Sequence, residues 1–131
     1  MIEFILNNKP IKTDQPTGSL LLDFVRYEKS LMGTKIGCRE GDCGACTVLI
    51  GELIDSQLNY RQVVSCLTPL GNVHGKHIVT IEGLNMDSLS PVQQFMVDES
   101  GSQCGFCTTG FVVSLTQFCL AKSTPSYKDA I

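Results

Sequence analysis

The chain has 131 residues, 43% of them hydrophobic, with ten basic and thirteen acidic side chains, a net charge of −3, and seven cysteines. That length holds one ordinary domain, or two small ones whose modest cores lean on cofactors. Interspersed charges leave no basic face for nucleic acid, and no apolar run approaches the ~20 residues of a membrane span. The opening MIEFILNNKP turns polar too early for a secretory leader, so we expect a soluble, cytoplasmic protein whose reduced cysteines serve as metal ligands or redox groups.

In chain order, Ile2, Phe4 and Leu6 alternate with Glu3 and Asn7, which predicts a strand with one buried face. Asn7 to Pro10 reads as a turn and Ile11 to Thr13 as a short second strand, its start constrained by Pro10. Thr17, Gly18 and Ser19 offer capping groups ahead of Leu20, Leu21, Leu22, Phe24 and Val25, whose spacing predicts an amphipathic helix packed on the hairpin. After a Gly-rich loop, Thr47 to Ile50 reads as a buried strand and Gly51 to Gln57 as a turn-rich connection. Leu58 to Val64 follows as a strand, Pro69 and Gly71 punctuate a turn, and His77 to Ile81 reads as a final strand. Hairpin, helix, loop and further strands make a small α+β unit with one helix over a mixed sheet.

The loop GTKIGCREGDCGACTV, residues 33–48, carries the chemistry. It sets Cys38, Cys43 and Cys46 in a CxxxxCxxC spacing among Gly37, Gly41 and Gly44, and a fourth thiol follows at Cys66. Four thiolates around a compact anionic cluster need a backbone that comes close enough to aim N–H groups at sulfur, and glycine permits that approach. The set suits a [2Fe–2S] cluster. A structural zinc site is the alternative, although four-cysteine zinc sites usually take their ligands from two short knuckles rather than one Gly-rich loop.

After Gly83 the pattern turns helical. Ser90, Pro91 and Gln93 form a capping-box start for a helix to about Asp98, and the loop Glu99 to Gln103 leads into Cys104-Gly105-Phe106-Cys107. Phe111, Val112, Leu115, Phe118 and Cys119 then recur at helical spacing to about Ala121, with the phenylalanines and leucines expected in the core. Ser123 to Pro125 reads as a linker, and Ser126 as the cap of a helical first turn at Tyr127, Lys128 and Asp129. So short a helix is marginal alone, so the chain is expected to be a piece of a longer gene product. The CGFC pair is either a thioredoxin-like dithiol or half of a metal site. The first wants a preceding βαβ pattern, which is missing here.

GCREGDCGACTV, VVSCL, HIVTIEGL, SPVQQ and QCGFCTTG, in this order, resemble the N-terminal iron–sulfur region of the xanthine dehydrogenase family of molybdenum hydroxylases. The resemblance covers nearly the whole chain. It implies a β-grasp, plant-type ferredoxin domain over residues 1–83. Residues 84–131 would then be the incomplete start of a helical, four-helix-bundle-like domain for a second [2Fe–2S] cluster. It implies Cys38, Cys43, Cys46 and Cys66 as ligands of the first cluster, Cys104 and Cys107 as half of the second, and Gln103 as the residue that touches the pterin of a molybdenum cofactor. It also implies one-electron transfer from a molybdenum subunit toward a partner domain that binds FAD, or another acceptor, with no catalytic residue or substrate site in this chain. Two departures stand out. Thr109 occupies a position where the family usually has Pro, and no CxC pair follows Cys107 to complete the second cluster. Cys119 is a poor substitute, ~18 Å from Cys107 along a continuous helix, and is read as a buried apolar residue on the helix's core face.

Other residues read plainly. His74 and His77 are surface or strand histidines, since four cysteines already fill a cluster's ligand set. Arg39, Glu40 and Asp42 are solvated or partner-facing. Two further readings remain: a free-standing ferredoxin, against which the added apolar helices argue, and a zinc-stabilised interaction module without redox chemistry.

Overall fold

In a computed structural model of the chain, residues 1–121 and residue 128 are described. Strands β1 (Ile2–Leu6) and β2 (Lys9–Thr13) form an antiparallel hairpin. A short helix α1 (Leu21–Asp23) continues as a π-helical turn, Phe24–Glu28. Strands β3 (Thr47–Ile54), β4 (Gln57–Val64) and β5 (His77–Val79) follow, and then helices α2 (Pro91–Asp98) and α3 (Thr108–Ala121). The sheet order is β2-β1-β5-β3-β4, with β1 and β5 parallel and the other pairs antiparallel.

Alternation in β1 buries Ile2, Phe4 and Leu6 on one face, where they meet Leu21, Phe24, Val25, Val48, Ile50 and Ile78 in the main core. A second apolar cluster, Leu22 with Cys46 and Cys66, lies under the Gly-rich loop. The first five residues of β3 are buried on both faces, the pattern of a strand covered from two sides. One cover is α1. The other is α3, which packs on β3 and β4 and whose buried residues are Gly110, Val112 and Val113.

Several expectations change. The Gly51–Gln57 connection is in fact the paired ends of β3 and β4, closed by a two-residue turn with Asp55 at φ 51° and Ser56 at φ 63°. Both central residues left-handed is the turn that matches strand twist, but Asp-Ser is a weak signal for it. The α1 helix is shorter and wider than its periodicity suggested, and β5 stops at Val79. The Ser90 capping box is present, with Ser90 Oγ accepting from Gln93 N–H at 3.2 Å and Gln93 Oε1 accepting from Ser90 N–H at 3.0 Å. Phe111, expected in the core, is 54% exposed, because α3 has the sheet on one side only. The linker and cap expected at Ser123–Ser126 lie outside the described residues. No helix among the described residues is long and apolar enough to cross a membrane.

Candidate metal centre

The loop between α1 and β3 is pinned where it enters and where it leaves. At its start Gly33 N–H donates to Glu82 Oε2 at 2.9 Å, and Lys35 N–H donates to Ala45 C=O at 3.1 Å. At its end Thr47 donates to Gly44 C=O from both N–H, at 3.1 Å, and Oγ1, at 2.6 Å. Between these anchors the backbone curls around two sulfurs. Cys38 Sγ accepts N–H groups of Glu40, Asp42 and Cys43 at 3.4, 3.2 and 3.3 Å. Cys43 Sγ accepts those of Cys38 and Ala45, each at 3.4 Å. A Cβ on Gly37 would sit 2.5 Å from Cys43 Sγ, so only glycine lets the chain pass that close to the sulfur.

Cys66 arrives from the far end of β4. Ser65, fully buried, donates its Oγ to Cys46 C=O at 2.7 Å and so holds the turn Ser65–Leu67 against the end of the loop. Cys46 and Cys66 are each 2% exposed, whereas Cys38 is half-buried and Cys43 exposed. The four thiols fall into two adjacent pairs: Cys38 and Cys43 each accept the other's backbone N–H at sulfur, and Cys46 and Cys66 pack together in one buried cluster. Among the described residues no three Cys, His, Asp or Glu side chains converge on a single metal position. Two pairs of thiols side by side are a ligand set that would suit a two-iron centre.

The N–H groups of Cys43, Glu40 and Asp42 favour a thiolate at Cys38 and draw its pKa down to about 7. Burial, followed by the neighbouring Cys46 thiol, pushes Cys66 up. In the metal-free protein we therefore expect iodoacetamide to label Cys38 with a midpoint near pH 7. Its thiolate is present above that pH and lost below it, while an ordinary thiol waits for about pH 8.5. Peptide mass spectrometry across pH 6 to 9 reads this, and a Cys38 midpoint at or above the ordinary value would contradict it.

The second pair stands apart. Cys104 and Cys107 are both exposed at the start of α3, with Gly105 between them at φ 85°. No other Cys or His converges on them among the described residues. Gln103, beside Cys104, is exposed. Cys119 is also exposed, which corrects its expected place on the core face. On α3, Gly110 rests against Gly44 and Ala45 of the loop, while Ser114 Oγ meets Gln62 and Gln117 Nε2 donates to Tyr60 C=O, both on β4.

A family model described as a 2Fe-2S iron-sulfur cluster binding domain matches residues 4–71, and another, a [2Fe-2S] binding domain, matches residues 80–131. Xanthine dehydrogenase of Calliphora vicina is 40% identical over 133 aligned residues, which take in 98% of this chain and 10% of that protein. The chain belongs to the iron–sulfur region of the xanthine dehydrogenase family. It spans about a tenth of the length of the curated relatives it matches. Among solved structures it is similar to quinoline 2-oxidoreductase from Pseudomonas putida 86, at 33% identity and a TM-score of 0.81, over 98% of this chain and 75% of that one. It is also similar to aldehyde oxidoreductase from Desulfovibrio gigas, at 34% identity and a TM-score of 0.83, over 98% of this chain and 14% of that one. Membership makes it an iron–sulfur electron-transfer unit.

Some residues that build the centre escaped the sequence reading. Ser65 was visible only as the neighbour of Cys66, Thr47 only as the first residue of a strand, and Gly110 only as a residue inside a helical pattern. Arg39 keeps the exposed position expected of it, and there its guanidinium pairs with Asp23.

Proposed function

We propose that the chain is the one-electron relay of a molybdenum hydroxylase, with a first [2Fe–2S] cluster held by Cys38, Cys43, Cys46 and Cys66. Residues 1–83 carry that site, and residues 84–131 carry Cys104 and Cys107 as half of the ligands of a second; the family models over 4–71 and 80–131 support this division. The observation that carries the reading is the pairing of the four thiols, with five backbone N–H groups aimed at Cys38 and Cys43. A bound [2Fe–2S] centre supplies reversible uptake of single electrons. The chain's own residues decide how it is tuned. N–H groups on sulfur favour negative charge, and the walls of Cys46 and Cys66 keep water from one side. The Cys38–Cys43 rim faces outward, where a partner's redox group can approach.

The partners follow the family: a molybdenum–pterin subunit that oxidises a purine or aldehyde-like substrate, with Gln103 against the pterin, and an FAD domain or other acceptor. Exposed Phe95, Val97, Phe106, Phe111 and Leu120 on and beside α2 and α3 support burial against further protein and disfavour a free-standing ferredoxin. Seven free cysteines support a reducing compartment, the cytoplasm.

Iron, acid-labile sulfide and zinc per chain after anaerobic purification test the reading. About two irons and two sulfides, the content of one [2Fe–2S] centre, are expected from the 131-residue chain. Zinc without sulfide, persisting after reconstitution, would leave only the structural-module alternative.

A further inference from the structure

Arg39 belongs to no ligand set, yet it occupies a position that is costly for a long side chain. It follows Cys38 directly and holds φ 56°, in the left-handed region that Gly, Asn and Asp enter far more readily. Its guanidinium reaches back to α1, where Nη2 donates to Asp23 Oδ1 at 2.8 Å and Nη1 donates to Oδ2 at 3.3 Å. Engaging both carboxylate oxygens is the directional, fork-shaped form of the ion pair. Asp23 is itself well anchored. It follows Leu21 and Leu22, both fully buried, and Leu22 packs with Cys46 and Cys66. Arg39 thus ties the outward half of the loop to the helix that supports its inward half.

We propose that Arg39 is a positioning residue. Through Asp23 it straps the outward rim of the loop, residues 38–43, to α1 and so keeps the Glu40, Asp42 and Cys43 N–H groups on the Cys38 sulfur. The role rests on reading Cys38 as a cluster ligand. The rim needs such a strap because Cys43 is exposed and Cys38 only half-buried, so water competes for the N–H groups that should point at sulfur. The pair is partly open, with side chains 41% and 38% exposed. Its effect is therefore bounded by what exposed ion pairs contribute, up to about fivefold in a rate or equilibrium, and is reduced by salt.

The test is the rate at which a chelator strips the reconstituted cluster, followed by visible absorption, in three variants. Arg39→Gly relieves the left-handed strain while removing the strap, Asp23→Arg removes the strap from the other side, and Arg39→Asp with Asp23→Arg exchanges the charges. Both single variants are expected to lose the cluster about fivefold faster at low salt, with the difference fading at about 1 M salt. The exchange should return the rate to within about twofold of the original. Amide hydrogen exchange over residues 38–43 in the cluster-free chain should rise in the singles and fall back in the exchange. An Arg39→Gly chain with unchanged cluster retention and amide protection overturns the strap, as does an exchange that restores neither. An unsubstituted chain that takes up neither iron nor sulfide overturns the ligand assignment instead, and amide exchange then decides the strap alone.

Discussion

Replacing Cys66 with alanine is expected to abolish the iron–sulfur centre and leave the fold standing. Iron and sulfide should fall from about two each per chain, the content of one [2Fe–2S] centre, to near zero, with the visible absorption lost. Cys66 pairs with Cys46 at the buried end of the site and is 2% exposed, so no solvent ligand can step in where the thiolate is removed. The same burial makes the change mild for packing. Its neighbours are Leu22 and Cys46, with Ile36 and Val64 beside them, and removing one sulfur from such a cluster costs about 1 kcal/mol. Far-ultraviolet circular dichroism of the cluster-free chain should therefore match the unsubstituted, cluster-free chain. Cys119→Ala is the control. Cys119 is exposed at the last turn of α3, and its loss should leave iron and sulfide unchanged. If Cys66→Ala keeps both irons and both sulfides, the fourth ligand is another residue and the pairing of thiols has been misread.

How much of this was legible beforehand depended on whether the signal was local. The spacing of Cys38, Cys43 and Cys46 is local, and the glycines between them state the close approach of backbone to sulfur that the geometry then displays at Gly37. Alternation at Ile2, Phe4 and Leu6 is local too, as is the Ser90 capping box. The strand order was not legible, because the parallel pairing of β1 with β5 joins Ile5 to His77 across most of the first unit. The two covers of β3 were hidden for the same reason. An apolar run in one strand does not say which helix lies on which face, so the packing of α3 on β3 could not be read from it. Cys119 and Phe111 were misjudged by a periodicity that counts apolar residues without knowing where the opposing surface ends. The partner of Arg39 was not legible, because an ion pair to a residue sixteen positions earlier leaves no trace in a motif.

The second large effect is expected at Gly110, where two opposing rules can be told apart. In a free helix interior, alanine is favoured over glycine by about 1 kcal/mol, so on propensity alone Gly110→Ala should stabilise the protein. The packing says otherwise. A Cβ at Gly110 would collide with the carbonyl oxygen of Gly44 and crowd Ala45 Cα at 3.2 Å. That carbonyl cannot retreat, since Thr47 holds it through both N–H and Oγ1. The obstacle is therefore backbone fixed inside the cluster loop, and relief requires α3 to lift from β3. Overpacking of this kind costs about 1–3 kcal/mol and sometimes more, enough to outweigh the propensity gain. For a chain of this size we expect the iron-loaded Gly110→Ala protein to melt about 5 °C lower, and Gly110→Val, larger and β-branched, about 10 °C lower. Gly18→Ala, where nothing lies within 4 Å of the added carbon, should shift the melting temperature by less than about 2 °C. The displacement also has a functional reading. Cys43 and Cys107 line one cavity of about 370 Å³ between the loop and the start of α3, so lifting the helix moves the second cysteine pair away from the first centre. A Gly110→Ala chain more stable than the original would mean that α3 does not rest on the loop at all, and that the spacing between the two sites is set elsewhere.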